Sequence, residues 1–71
     1  MLEMRRVTSR TIDAVGYDAE ARELHVHYSD ADATYIYRGV EPEVYENLLK
    51  AESKGQYLND AIKGHYRHTR L

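Results

Sequence analysis

The chain of 71 residues has no cysteine, no phenylalanine and no tryptophan, and only one proline and four glycines. The lack of cysteine excludes disulfides and thiolate metal centres. A chain this short buries only about 60% of its unfolded surface, so packing alone must hold it together. No apolar run approaches the roughly 18 residues of a membrane span, and Met1-Leu2-Glu3-Met4-Arg5-Arg6 leads into no signal-like apolar stretch. A cytoplasmic protein with no membrane partner is expected. With so little Pro and Gly and no Ser-rich run, there is no linker, internal repeat or low-complexity segment, and residues 1–71 read as one domain.

The net charge of −2 conceals a segregation. Arg5, Arg6 and Arg10 against Glu3 leave residues 1–10 at +2. Nine acids against Arg22 and Arg38 leave residues 11–49 at −7, and Lys50, Lys54, Lys63, Arg67 and Arg70 against Glu52 and Asp60 leave residues 50–71 at +3. The termini are basic and the middle is acidic, so any attraction to a polyanion must come from the ends of the chain.

Hydrophobic period assigns the elements. Leu24-His25-Val26-His27-Tyr28 alternates, placing Leu24, Val26 and Tyr28 on one strand face and both histidines on the other. Thr34-Tyr35-Ile36-Tyr37-Arg38 alternates likewise, with Tyr35 and Tyr37 on one face, and the polar turn Ser29-Asp30-Ala31-Asp32 predicts an antiparallel hairpin between the two strands. Upstream, Thr11 to Tyr17 reads as a third strand whose apolar phase slips between Ile12 and Val15, which a bulge near Gly16 would explain.

After Gly39 the period lengthens. Pro42 suits a first helical turn, and Val44, Tyr45, Leu48 and Leu49 recur on one face of a helix of roughly ten residues. Ser53 followed by Gln56 reads as a capping box for a second short helix with Tyr57, Leu58, Ala61 and Ile62 as its apolar stripe and Gly64 as its end; Gly55 in its first turn allows a start after that residue instead. The predicted fold is α+β, a three-stranded antiparallel meander followed by two short helices packed on one face, β-β-β-α-α, with a basic C-terminal tail over about 64–71.

The pattern Val15-Gly16-Tyr17-Asp18, Tyr35-Ile36-Tyr37, Val40 with Pro42, Val44-Tyr45 and Ala51-Glu52-Ser53-Lys54-Gly55-Gln56-Tyr57-Leu58-Asn59 resembles the KTSC domain, a small family found at the C-terminus of some lysyl-tRNA synthetases and as stand-alone bacterial proteins. The chain departs from the family pattern where Glu41 separates Val40 from Pro42, where Leu58 stands in place of Phe, and in the 29–32 turn, which lacks the usual Gly. The resemblance implies a bacterial domain of unestablished function, with Tyr35 and Tyr37 as family-motif residues and a link to RNA through the synthetase.

Tyrosine is the only aromatic type, at seven copies. Tyr35 and Tyr37 can stack bases or, sharing a period with Leu24, Val26 and Tyr28, belong to the core; the core reading is favoured. His25 with His27, and His65 with His68, have pairwise spacing, but zinc normally takes three or four protein ligands and the chain has no helical His-Glu-x-x-His pattern, so no metal site is expected. Asp18, Glu20, Asp30 and Asp32 fall in turns where they hydrogen-bond locally, Ser29 has no placed base, and a core this small has little room for a water-excluding pocket. Nothing converges on catalysis, so the chain reads as a non-enzyme with no cofactor and no small-molecule substrate.

The remaining candidate is the basic C-terminal region. A non-catalytic binding module is expected, making weak RNA contact through Lys54, Lys63, Arg67 and Arg70, aided by Tyr57 and Tyr66. The competing reading is a protein-interaction module using the acidic turns or an exposed sheet edge. RNA binding requires N- and C-terminal cations to share a face, whereas a protein partner can use the acidic side.

Overall fold

The computed structural model describes residues 2–71. Five antiparallel strands follow one another across a single sheet: β1 Arg5–Arg6, β2 Ile12–Asp18, β3 Glu23–Tyr28, β4 Ala33–Arg38 and β5 Arg67–Arg70. Between β4 and β5 lie α1, Pro42–Lys50, and α2, Lys54–Tyr57, which continues as a π-helical turn over Leu58–Ile62. The three central strands and both helices are the predicted ones. The sheet is larger than expected, because the three-stranded meander gains an edge strand on each side. Arg67–Arg70, expected in a free tail, pairs with β4 through Arg38↔Arg67, Tyr37↔His68, Ile36↔Thr69 and Tyr35↔Arg70. Neither edge strand has a hydrophobic period to betray it. All of their residues are exposed, and both form by backbone pairing rather than by burying a face.

The expected bulge is displaced. The β2–β3 register shifts between Ile12 and Ala14, leaving Asp13 as the extra residue, so that Ile12 and Val15 can both face the core despite being three apart. Gly16 instead pairs regularly with His25, and its missing side chain has a different use. A Cβ there would meet Met4 Sδ at 2.7 Å and the Glu3 carbonyl oxygen at 2.9 Å. Only glycine lets the segment leading into β1 lie so close to β2.

The helices cover one face of the sheet. Leu24 and Val26 are fully buried there with Tyr28 and Tyr37, facing Leu48 of α1 and Leu58 and Ile62 of the π-helical turn; Val44, Tyr45 and Leu49 pack at the margin. Pro42 occupies the first turn of α1 as the sequence predicts. Helix α2 starts at Lys54, with Gly55 inside its first turn, and the Ser53 hydroxyl caps it by accepting from the Gln56 N–H at 3.3 Å. The reciprocal half of the capping box is not made, because the Gln56 amide donates to the Asp60 carboxylate at 3.0 Å. Gly64, at φ +81°, takes up the left-handed conformation just past the helix end. No helix among the described residues is long and apolar enough to cross a membrane.

Candidate functional site

A cleft of about 590 Å³ opens between two walls brought together by the fold. One wall is the β1–β2 loop, Thr8 to Thr11, joined to the β3–β4 turn: the Ser29 N–H donates to the Thr11 carbonyl at 2.9 Å, and Asp30 and Ala31 reach the cleft beside it. The other is the start of α2, with Ser53, Lys54 and Gly55, followed by Asn59 and Lys63. Glu52, Gln56, Tyr28 and Tyr35 complete the lining. The walls meet closely at Gly55, where a Cβ would lie 3.0 Å from the Thr11 hydroxyl oxygen. A small core did not preclude a recess, because this one is built from loops and a helix end beside the core rather than within it.

Three cations from separate parts of the chain line this cleft: Arg10, Lys54 and Lys63. Among the described residues none of the three has a carboxylate within 4 Å, whereas Arg6 is held by Asp13 and Arg38 by Glu23. Lys54 is half-buried, its ammonium donating to the Ala51 carbonyl at 3.2 Å. The Lys63 ammonium lies 4.9 Å from the centre of the Tyr28 ring, within cation–π range. Lys54 also borders a second recess of about 410 Å³ with Arg5 and Arg6, so basic side chains of the N-terminal segment and of α2 adjoin one another although β1 and β5 stand about 19 Å apart across four strand spacings.

Strand pairing sorts the remaining candidates by face. Arg70 lies opposite Tyr35 on the helix-covered side, its guanidinium carbon 5.9 Å from the ring centre, and His68 stacks on the same ring at 5.5 Å. Arg67 and Thr69 alternate with these and point to the opposite face, beside Arg38 and Ile36. The structure therefore brings Lys54, Lys63 and Arg70 to one side and leaves Arg67 on the other. Tyr57 and Tyr66 are half-buried against the core, and neither lines the cleft. Tyr37 is buried at 2% exposure, its hydroxyl 2.8 Å from that of Tyr28, while Tyr35 is half-buried and lines the cleft. Burial, first of all, pushes the Tyr28 and Tyr37 phenols above the usual tyrosine value, so both stay protonated near neutrality.

Sequence reasoning overlooked Arg10, Asp30 and the hydroxyls of the β1–β2 loop as site residues. Thr11 reads as the start of a strand and Gly55 as a residue that could delay a helix, and neither reading says that one approaches the other. The histidines make local pairs: His27 lies between Asp13 at 3.5 Å and Asp32 at 3.3 Å, and His25 is 3.6 Å from Glu23. The two carboxylates meet different nitrogens of the His27 ring, and among the described residues no three such side chains converge on a point a metal could occupy.

The family model of the KTSC domain matches residues 8–66, an interval that contains every lining residue of the cleft. The chain belongs to the KTSC domain family. It is similar to a protein of Tsukamurella paurometabola, 41% identical over 64 residues that cover 90% of this chain and 94% of that one. It is also similar to an uncharacterized protein of Stutzerimonas stutzeri, 41% identical over 71 residues that cover 96% of this chain and 99% of that one. The crystal structure of a KTSC domain protein from Yersinia pestis superposes with a TM-score of 0.95 at 30% identity, covering 100% of this chain and 99% of the other. The five-stranded KTSC fold is thus shared over the whole length, with β1 and β5 lying outside the residues that the family model matches.

Proposed function

We propose that this KTSC domain is a non-catalytic module that makes low-affinity contact with single-stranded RNA along the cleft and its rim. The observation that carries the reading is the convergence of Arg10, Lys54 and Lys63 on one cleft beside Tyr35, with Arg70 over that ring. Cations without internal carboxylate partners are free to neutralise phosphates, and Tyr35, whose ring His68 and Arg70 already approach, offers a base the part of its surface that lines the cleft. Arg10, Lys54, Lys63 and Arg70 supply the phosphate contacts. Arg67, on the opposite face of the sheet, stands apart from this path, and Tyr57 and Tyr66 support the surface from the core. Labelled oligonucleotides titrated at several salt concentrations test the reading. Four phosphate contacts by Arg10, Lys54, Lys63 and Arg70 give a slope of log affinity against log salt no steeper than about −3, at about −0.7 per phosphate. Absence of binding at low salt overturns it.

A second reading rests on the free edge of β5. The Leu71 N–H donates to the Thr34 carbonyl at 2.9 Å, which phases the ladder so that Arg67 and Thr69 direct their backbone groups toward β4 and those of His68 and Arg70 point outward. A partner protein could add an extended segment there. It is favoured if RNA fails to bind and an acidic extended peptide shifts the His68 and Arg70 amide resonances.

A further inference from the structure

We infer that the cleft holds a single ribonucleotide unit, taking its phosphate on Arg10 and Lys54, its ribose 2′-hydroxyl on the Asp30 carboxylate and its base against Tyr35. The inference rests on the RNA reading for the class of ligand and adds a place, a register and a preference for ribose.

The lining supports this chemistry more specifically than a general attraction to anions. A surface built only to hold a polyanion has no use for acids, yet Asp30 and Glu52 line the cleft together with the three cations. The ligand that fits both signs carries an anionic group and, elsewhere on the same molecule, hydrogen-bond donors for a carboxylate. A ribonucleotide has that pattern, and a carboxylate accepting from the ribose 2′-hydroxyl is an established mode of nucleotide recognition. Asp30 sits in the β3–β4 turn two residues after Tyr28 and next to Ser29, which is bonded to the Thr11 carbonyl, so it lies between the Arg10 loop and the aromatic end of the cleft, where Lys63 lies over Tyr28. The hydroxyl-bearing residues Thr8, Ser9, Thr11 and Ser53 come from the two walls that meet at Gly55 and share that part of the lining with Lys54. The Ser53 oxygen already accepts from Gln56, which leaves its own proton free to donate. The volume of about 590 Å³ lies in the range of small-molecule sites.

The test uses the whole chain, isotope-labelled, with adenosine 5′-monophosphate, 2′-deoxyadenosine 5′-monophosphate and inorganic phosphate as probes, followed by amide chemical-shift titration. The ribonucleotide should give saturable shifts at Thr8 to Thr11, at Ala31 and at Ser53 to Asn59. The deoxy compound should bind about tenfold more weakly, because it leaves the Asp30 carboxylate without its charge-assisted hydrogen bond. Asp30→Asn, at an exposed turn position, should remove most of that tenfold preference while the fold, read from the unchanged remainder of the spectrum, stays intact. Arg10→Gln should weaken both nucleotides alike. Equal binding of the ribo and deoxy compounds, a preference that survives Asp30→Asn, or shifts no larger than those from inorganic phosphate each overturn the inference. An oligonucleotide that binds in a salt-dependent way but is not displaced by the mononucleotide leaves the RNA reading standing and removes this one. A mononucleotide that saturates the cleft while no oligonucleotide binds does the reverse.

Discussion

Gly55 of α2 approaches Thr11 of the β1–β2 loop so closely that a Cβ on the glycine would stand 3.0 Å from the threonine hydroxyl oxygen. That contact joins the two walls of the cleft, and it accounts for a glycine in the first turn of a helix, where alanine would ordinarily be favoured by up to about 1 kcal/mol. In Gly55→Ala the helical gain and the cost of moving Thr11 oppose each other, so unfolding free energy should change by less than about 1 kcal/mol. The displaced loop should nonetheless weaken ligand binding in the cleft. Gly55→Val, bulkier and β-branched, should cost about 1–3 kcal/mol. Urea unfolding and oligonucleotide titration of the two variants measure both effects, and a large loss of stability in Gly55→Ala would show that Thr11 cannot give way.

Leu48 places the core energetically. It is fully buried beneath α1, against a sheet face that carries Leu24 and Val26, also at 0% exposure. Leu48→Ala should destabilise by about 2–5 kcal/mol, since the space it leaves can refill only in part. That is a large share of the roughly 5–15 kcal/mol available to a small domain. Equilibrium unfolding in urea checks it.

The same residues show what period can and cannot reveal. Leu24, Val26 and Tyr28 alternate, and Val44, Tyr45, Leu48 and Leu49 recur at helical spacing, because each set must bury one face of its element; their assignments follow from that requirement. Arg5–Arg6 and Arg67–Arg70 bury nothing, so no hydrophobic pattern marks them, and their strand character comes from the unpaired backbone edges of β2 and β4. The phase slip between Ile12 and Val15 was legible, but its location at Asp13 rather than Gly16 was not, because glycine is a general bulge signal and here serves the approach of Met4. Of the site, Lys54 and Lys63 were legible as cations. Their meeting with Arg10 and Asp30 depends on how the β1–β2 loop folds over α2, a contact between segments more than forty residues apart that composition and period do not encode.

Tyr28 and Tyr37 share a buried hydrogen bond between their hydroxyls, at 2.8 Å. Burial disfavours both phenolates and raises both groups above the value of about 10 that an unfolded tyrosine shows. Above that pH the unfolded chain releases protons that the folded chain retains, so unfolding becomes more favourable. The stabilisation is fully present below about pH 10 and is lost as pH rises toward the higher folded values. The urea midpoint should therefore fall between about pH 8 and about pH 10.5, and it should fall less in the double variant Tyr28→Phe, Tyr37→Phe, which keeps the rings and removes both ionisations. An equal fall in the two proteins would assign the effect to groups other than this pair, such as Tyr17, whose phenol is also raised by burial.

Arg67 and Arg70 differ by three positions on β5 and therefore face opposite sides of the sheet. Arg70 lies over Tyr35, a lining residue of the cleft, whereas Arg67 stands beside Arg38 on the outer face. If RNA follows the cleft and its rim, Arg70→Gln removes a phosphate contact and should flatten the salt slope by about 0.7, weakening all sequences similarly because phosphate contacts carry no base information. Arg67→Gln should leave the slope nearly unchanged. Removing Arg67 also relieves its placement directly opposite Arg38, where like charges destabilise a strand pair, so that variant should be at least as stable as the parent. Oligonucleotide titrations of the two single variants at several salt concentrations separate the faces. Equal flattening by both would place the RNA across the edge of the sheet rather than along the cleft, and flattening by Arg67→Gln alone would move the contact to the outer face and away from Lys54 and Lys63.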